Sequence, residues 1–214
     1  MARVNPLNDF VFQKTMGEKG SEIELKSLLS AILGRTLKEV TILENKTLTA
    51  AIIGDKTSIL DVRATTDDDT QINIEVQLSP YKAMDSRSIF YWSKMYGTAL
   101  EAGQDYKKLP NMVMINILDF ESDFIKLERF HTKFHIWEDE ERYKLTDAVE
   151  YHFIEMKRFR ELAEKDVKNN ALHRWLTYFD EKADETTVEG VIAMDAAIKK
   201  ASEKLHYLSQ DKEF

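Results

Sequence analysis

The stretch SILDVRATTDDDTQINIEVQL, residues 58–78, alternates apolar and polar side chains twice. The alternation runs over 58–65 and again over 70–78, and its period of two is typical of β-strands with one buried face. Between the two runs, residues 66–69 form a polar cluster of hairpin-turn length. The stretch therefore predicts two antiparallel strands that turn one apolar face toward a core.

The opposite face of this hairpin carries ionisable and amide side chains. Its members are Asp61, Arg63, Gln71, Asn73, Glu75 and Gln77. A turn of this length places Asp61 opposite Glu75 or nearly so, and cross-strand neighbours have Cβ atoms about 4.5–5.5 Å apart. Two carboxylates at that distance repel each other, and either a divalent cation or the nearby Arg63 could offset the repulsion. The alternative is an ordinary solvated sheet face.

Helix and strand patterns continue on both sides of the hairpin. A helix is predicted over 10–16, capped by Asn8 or Asp9, and a second helix follows Ser21 and ends at Gly34. Further strands are predicted over 39–43, 111–120, 130–137 and 149–156, whereas residues 44–57 look polar and irregular. The order predicts an α/β fold with a mixed sheet of five or six strands and helices on both faces.

A long helix is predicted after Pro80, capped by Asp85 or Ser86 and ending near Glu101. Its apolar stripe, which we expect to be buried, consists of Ile89, Trp92, Tyr96 and Leu100. The opposite face carries Arg87, Tyr91, Lys94 and Thr98. The hairpin leads directly into this helix, so the two elements are expected to be neighbours in space.

The rest of the chain is helical in pattern, and no linker divides it. We expect one domain, with a core over 1–160 and a helical C-terminal extension over 161–214 that packs on it. A short heptad seam lies in the last part of the chain, formed by Val191, Met194, Ile198, Ala201, Leu205 and Leu208. Such a seam either packs on its own domain or mediates a homodimer.

Composition narrows the possible functions. The 214 residues are 43% hydrophobic and 32% charged, which indicates a folded chain with a full core. The absence of cysteine excludes disulfides, thiolate metal sites and cysteine nucleophiles. No apolar run is long enough for a signal peptide or a membrane span, so the expected compartment is the cytoplasm. A net charge of -8 disfavours bulk electrostatic binding of nucleic acid, but it leaves room for a local basic groove or a metal bridge to phosphate.

Four sequence blocks together resemble a known family. They are NPLNDFVFQKTMG (5–17), SILDVRA…INIEVQ (58–77), FYWSKMYGTAL…GQDY (90–106) and MINILDF (114–120). Their order and spacing resemble the recombination-promoting nucleases, a transposase-associated branch of the PD-(D/E)XK superfamily, from residue 5 to roughly residue 160. The resemblance implies a restriction-endonuclease-like core and a DNA endonuclease that depends on Mg²⁺ or Mn²⁺.

The resemblance also implies roles for individual residues. Asp61 matches the aspartate that binds the metal, and Glu75 matches the glutamate of the third motif strand. Asp9 matches an acidic position that could hold a metal-bound water. Gln77 stands where the superfamily usually has a lysine, so it can donate a hydrogen bond but supplies no charge to the transition state.

A cation from elsewhere could replace the missing lysine. We expect Lys94 first, because its helix face could overhang the hairpin. The alternatives are Arg87 on that same face, Arg63 on the strand face of Asp61, and Lys14 one turn past Asp9. Together with Tyr91, both Arg87 and Lys14 are also candidate contacts to DNA. The competing interpretation of each basic residue is a solvated side chain.

Two further features of the sequence bear on function. His131, Lys133 and His135 share one strand face, but no acidic partner stands at metal-ligand spacing, so a solvated face is favoured. The sequence also leaves open a catalytically inactive relative, in which the same fold binds nucleic acid or another protein. The acidic composition and Gln77 favour that alternative, whereas Asp61 and Glu75 favour an active enzyme.

Overall fold

The computed structural model describes residues 3–43 and 62–210. Over these ranges it contains one six-stranded sheet and seven α-helices. The strands are β1 (Val40–Leu43), β2 (Val62–Thr66), β3 (Gln71–Gln77), β4 (Met112–Leu118), β5 (His131–Phe134) and β6 (Val149–Glu155). The helices are α1 (Asp9–Met16), α2 (Glu22–Leu33), α3 (Met84–Gly97), α4 (Met156–Arg160), α5 (Ala171–Phe179), α6 (Glu185–Met194) and α7 (Ala196–Gln210). None of the helices in the described ranges is both long and apolar enough to cross a membrane.

The sheet is mixed, with strand order β1-β2-β3-β4-β6-β5. Strands β3, β4 and β6 run parallel, and the pairs β1–β2, β2–β3 and β5–β6 are antiparallel. The β2–β3 register pairs Val62 with Ile74 and Arg63 with Asn73, which confirms the predicted hairpin over these residues. Asp61 and the predicted irregular segment 44–57 lie outside the described residues.

The two faces of the sheet are covered differently. On one face Ile72, Ile74 and Val76 pack into the main core together with α1, α2 and the C-terminal helices. On the other face α3 packs against β4 and two smaller apolar clusters. Strand β4 is buried along its whole length, as its continuous apolar run predicts for a central parallel strand.

The first two helices form as the sequence predicts. Asn8 Oδ1 accepts hydrogen bonds from the backbone N–H groups of Phe10 (3.1 Å) and Val11 (3.3 Å), which caps α1 and places Asp9 in its first turn. Gly34 ends α2 in the left-handed conformation, with φ of 68°.

Helix α3 differs from its predicted form in its ends and in its buried face. It begins after Ala83, which has a left-handed φ of 64°, and it ends at Gly97 rather than near Glu101. The predicted apolar stripe is wrong at Ile89, which is 56% exposed, whereas Trp92 and Tyr96 are partly buried against a small apolar cluster. The fully buried positions of the helix are Met84, Ser88 and Met95. The sheet beneath the helix presents buried polar side chains, and Ser88 turns inward to meet one of them.

The C-terminal helices pack on the same core as the sheet. The predicted seam is interrupted at Asp195, whose side chain accepts a hydrogen bond from the Ala197 N–H (3.0 Å) and starts α7. Four seam residues are buried in the main core, namely Val191, Ile198, Ala201 and Leu205. Met194 is 53% exposed. The structure therefore favours packing on the chain's own domain over a dimer contact through this seam.

Candidate active site

Glu75 is the carboxylate at the centre of the site. It lies on the face of β3 opposite to Ile74 and Val76, and only 3% of the residue is exposed. Its carboxylate forms an ion pair with Arg87 from α3. Burial raises the pKa of Glu75, while the Arg87 charge opposes the rise and the Asp9 charge adds to it. A buried carboxylate in this setting needs a cation beside it.

Arg87 is held by aromatic rings as well as by Glu75. It lies in the first turn of α3, and its guanidinium carbon is 5.1 Å from the centre of the Tyr81 ring and 5.3 Å from that of Tyr91. Both distances are within the range of cation–π attraction. The loop that joins β3 to α3 supplies Tyr81, and the next turn of the helix supplies Tyr91. The guanidinium is thus fixed between a carboxylate and two rings.

Asp9 places a second carboxylate close enough to act electrostatically on Glu75 and Arg87. The cap at Asn8 sets the start of α1, and α1 packs against β3. Partial burial raises the pKa of Asp9, and Arg87 opposes this rise. Asp9 also raises the pKa of Glu75, so the three groups share one electrostatic environment. We call Asp9, Glu75 and Arg87 the acidic-pair cluster.

Buried amide groups lie next to this cluster. Asn116 on β4 pairs with Glu75 in the parallel register. Its side chain accepts a hydrogen bond from Ser88 Oγ (2.9 Å) and donates one to the backbone oxygen of His152 (3.2 Å). Asn73 is also buried, and its Nδ2 has no hydrogen-bond partner among the described residues. The polar face of β3 is therefore enclosed rather than solvated, which excludes the simplest alternative for this hairpin.

The residues present fit a hard divalent cation. Oε2 of Glu75 is buried without a hydrogen-bond partner within 3–43 and 62–210, and Asp9 adds negative charge beside it. Carboxylate oxygens are the ligands that Mg²⁺ and Mn²⁺ prefer. No group of three or more potential ligands that could hold a metal ion occurs among the described residues, and Asp61, the expected further ligand, lies outside them.

The other candidate residues are distributed around the cluster. Gln77 ends β3 on the same face as Glu75, and its backbone oxygen accepts a hydrogen bond from Asp119 N–H (2.9 Å). Arg63 is half-buried opposite Asn73. Lys94 is exposed, with its Nζ 5.5 Å from the centre of the Phe90 ring, and Lys14 bonds to Glu18 at 2.6 Å. The structure thus brings Asp9 and Arg87 to Glu75, with Tyr91 against Arg87, and it takes Lys94 and Lys14 to other partners.

A histidine cluster on the far side of the sheet corrects the prediction of a solvated face. His131 Nε2 lies 2.8 Å from His152 Nδ1, and His152 Nε2 lies 2.6 Å from Glu150 Oε1. Glu150 also approaches His135 at 3.4 Å. The acidic partner of these histidines is Glu150, which lies on β6, the strand paired with β5. The available sequence signal for this contact was the spacing of Glu150 and His152, which are two residues apart and so share one face of a predicted strand.

The mixed sheet of six strands flanked by helices is consistent with the restriction-endonuclease-like α/β fold. The model of the PD-(D/E)XK nuclease family transposase matches residues 6–214, and the chain belongs to this family. The match extends past residue 160 through the helical tail, further than the motif blocks alone reach. Comparison with curated proteins and with solved structures gives no match.

Proposed function

We propose that this protein is a divalent-metal-dependent DNA endonuclease that hydrolyses phosphodiester bonds and acts in recombination or in mobile elements. The observation that supports this most is Glu75, a buried carboxylate whose pKa is raised further by Asp9, on the hairpin face whose residues resemble the family's motif. Burying a carboxylate costs free energy unless a cation or a metal ion compensates its charge, so a carboxylate with no function would be expected at the surface.

In this proposal Asp61 and Glu75 hold Mg²⁺ or Mn²⁺. The β2–β3 register pairs Val62 with Ile74, and the alternation in the sequence predicts Asp61 opposite Glu75. When bound, the ion supplies positive charge to the scissile phosphate and makes a water molecule more acidic.

The chain's own residues have separate tasks. During hydrolysis a water oxygen forms the new bond to phosphorus, the bond to one ester oxygen breaks, and that oxygen takes up a proton as the water loses one. Asp9 orients the attacking water from the start of α1. Gln77 donates a hydrogen bond to a phosphate oxygen from the end of β3. Tyr91 and Lys14 contact the DNA backbone on either side.

Nicking of supercoiled plasmid tests the activity. We expect nicking with Mg²⁺ or Mn²⁺ and none with EDTA. Asp61→Asn and Glu75→Gln should each abolish it, because either change removes a charged ligand at nearly constant shape. Glu39→Gln, an exposed carboxylate before β1, is the matched control and should nick like the wild type. Full activity of Glu75→Gln would contradict the proposed site.

Calorimetry tests the metal site without DNA. We expect Mn²⁺ binding that weakens sharply in Glu75→Ala, since one of two charged ligands is lost. Equal binding by the wild type and this variant would place the metal elsewhere.

The Glu75–Arg87 ion pair favours a second candidate function, because it neutralises the buried carboxylate without any metal. In that case the chain is an inactive relative that binds nucleic acid or a protein partner. A wild-type protein that shifts the anisotropy of labelled DNA but nicks with neither metal would support this second function.

A further inference from the structure

We propose that Arg87 supplies the transition-state charge that Gln77 cannot, and that a divalent ion must first displace Arg87 from Glu75. This inference rests on the proposed endonuclease activity and names the cation that serves it.

The first argument is position. Arg87 forms an ion pair with Glu75, and Gln77 lies two residues further along the same face of β3. Residues two apart on a strand are separated by about 7 Å, which a long arginine side chain can span. A guanidinium anchored on α3 above Glu75 is therefore within reach of the place where a lysine at position 77 would act.

The second argument is preorganisation. Arg87 stacks against both Tyr81 and Tyr91, so the rings still hold the guanidinium when Glu75 turns to a metal ion. The planar guanidinium can then offer two parallel N–H donors to phosphate oxygens. A cation that is fixed before the reaction stabilises developing charge more effectively than a mobile one.

The third argument is the contrast with Lys94. It lies two turns further along α3, about 10 Å from Arg87 along the axis, and it is exposed over Phe90. Lys94 and Arg87 are seven residues apart, so they share one face of α3 and rotation of the helix does not distinguish them. Distance along the helix axis separates them, because the first turn of α3 carries Arg87 and pairs it with Glu75.

The pairing also implies competition. Arg87 and a divalent ion both need the Glu75 carboxylate, and the two positive charges repel each other once the ion is bound. Removing the Arg87 charge should therefore slow cleavage, whereas the affinity for the metal ion should stay the same or increase. A purely structural role would weaken folding, metal binding and cleavage together.

The test compares Arg87→Gln with Arg129→Gln. The second variant removes the same charge from an exposed position before the edge strand β5, three strands away from β3. We expect Arg87→Gln to nick plasmid about 10²–10³-fold more slowly with Mn²⁺. Its Mn²⁺ affinity, measured by calorimetry at pH 8 without DNA, should be equal to or tighter than that of the wild type. Arg129→Gln should change neither value.

Two further variants strengthen the test. Adding Gln77→Lys to Arg87→Gln should restore part of the nicking, because it returns a charge to the usual place. Tyr81 is 49% exposed, so Tyr81→Leu should fold. It should nick several-fold more slowly with unchanged Mn²⁺ affinity, and it serves as the deciding variant if Arg87→Gln does not fold.

The outcomes separate this inference from the proposed function. A wild type that nicks with neither metal overturns both. If the wild type nicks and Arg87→Gln, or Tyr81→Leu in its place, nicks equally fast, only the role of Arg87 fails. Loss of Mn²⁺ binding in step with loss of nicking would also overturn it, since Arg87 would then merely support the metal site.

Discussion

Single residues show how enclosure changes the chemistry of ionisable groups in this protein. Burial lowers the pKa of His131 to about 3 and also lowers the pKa of His152. The hydrogen bond from His152 holds the pKa of Glu150 at about 2. Both histidines are therefore neutral in the folded protein at pH values where the unfolded chain would protonate them.

This difference predicts acid destabilisation of the fold. As pH falls below the ordinary histidine pKa of about 6.5, the unfolded chain binds protons that the folded protein does not, and stability drops. His131 alone should contribute a loss of about 1–2 kcal/mol at pH 5. The stabilisation of the fold by ionised Glu150 is fully present above its ordinary pKa of 4.5. It is lost only as the pH falls from about 4.5 to about 2.

Urea unfolding at pH 7.5 and pH 5 measures this effect. We expect the free energy of unfolding to fall at pH 5 in the wild type and to fall less in His131→Gln. His206→Gln, which changes an exposed histidine on α7, should keep the wild-type difference. An identical pH dependence in all three proteins would show that the histidine cluster does not control acid stability.

Among the elements, α3 is the one whose orientation matters most for the site. Its rotation buries Met84, Ser88 and Met95 and turns Ile89 to solvent. The polar Ser88–Asn116 hydrogen bond and the Arg87–Glu75 ion pair form on the inward face, and apolar contacts of Met95 complete it. Burying these polar groups without partners would cost more than exposing Ile89 does.

Lysine substitutions distinguish the two faces of α3. Ile89→Lys should change the free energy of unfolding by less than about 0.5 kcal/mol, because the position is exposed. Met95→Lys should destabilise by about 3 kcal/mol or more, because it buries an unpaired charge. Urea unfolding of both variants measures the difference. A larger destabilisation by Ile89→Lys than by Met95→Lys would show that the face with Ile89 is the buried one.

Across the whole molecule, the C-terminal helices and the sheet share one core. Val191 and Ile198 belong to the same buried cluster as Ile74 and Val113. Arg160 links the two parts further, since it forms ion pairs with Asp119 after β4 and with Asp180 after α5. These contacts support the proposal that the extension over 161–214 belongs to the same domain as residues 1–160.

We predict that a fragment of residues 1–160 does not fold. Removing α5, α6 and α7 would expose the main core on one face of the sheet, and the lost apolar burial exceeds the marginal stability of a domain. Amide dispersion in a two-dimensional NMR spectrum and a cooperative thermal transition measure folding. A fragment that shows both would make the tail a separate unit.

Local sequence patterns were enough to predict the β2–β3 hairpin, helices α1 and α2, the buried strand β4 and the face of β3 on which Glu75 lies. These features depend on period and on local capping, which neighbouring residues fix without any distant contact. Helix periodicity also located α3, but it could not show which face is buried, since the polar surface of β3 and β4 selects the inward side.

Which charges meet depends on how the elements pack in the folded chain. Arg87 reaches Glu75, and His131 reaches His152, through packing between elements that are separate in the chain. The energies of these contacts depend on burial and on partners that spacing along the sequence does not encode. For the same reason Lys94 and Arg87 looked equivalent on one helix face, and the three-dimensional arrangement placed only Arg87 against the buried carboxylate.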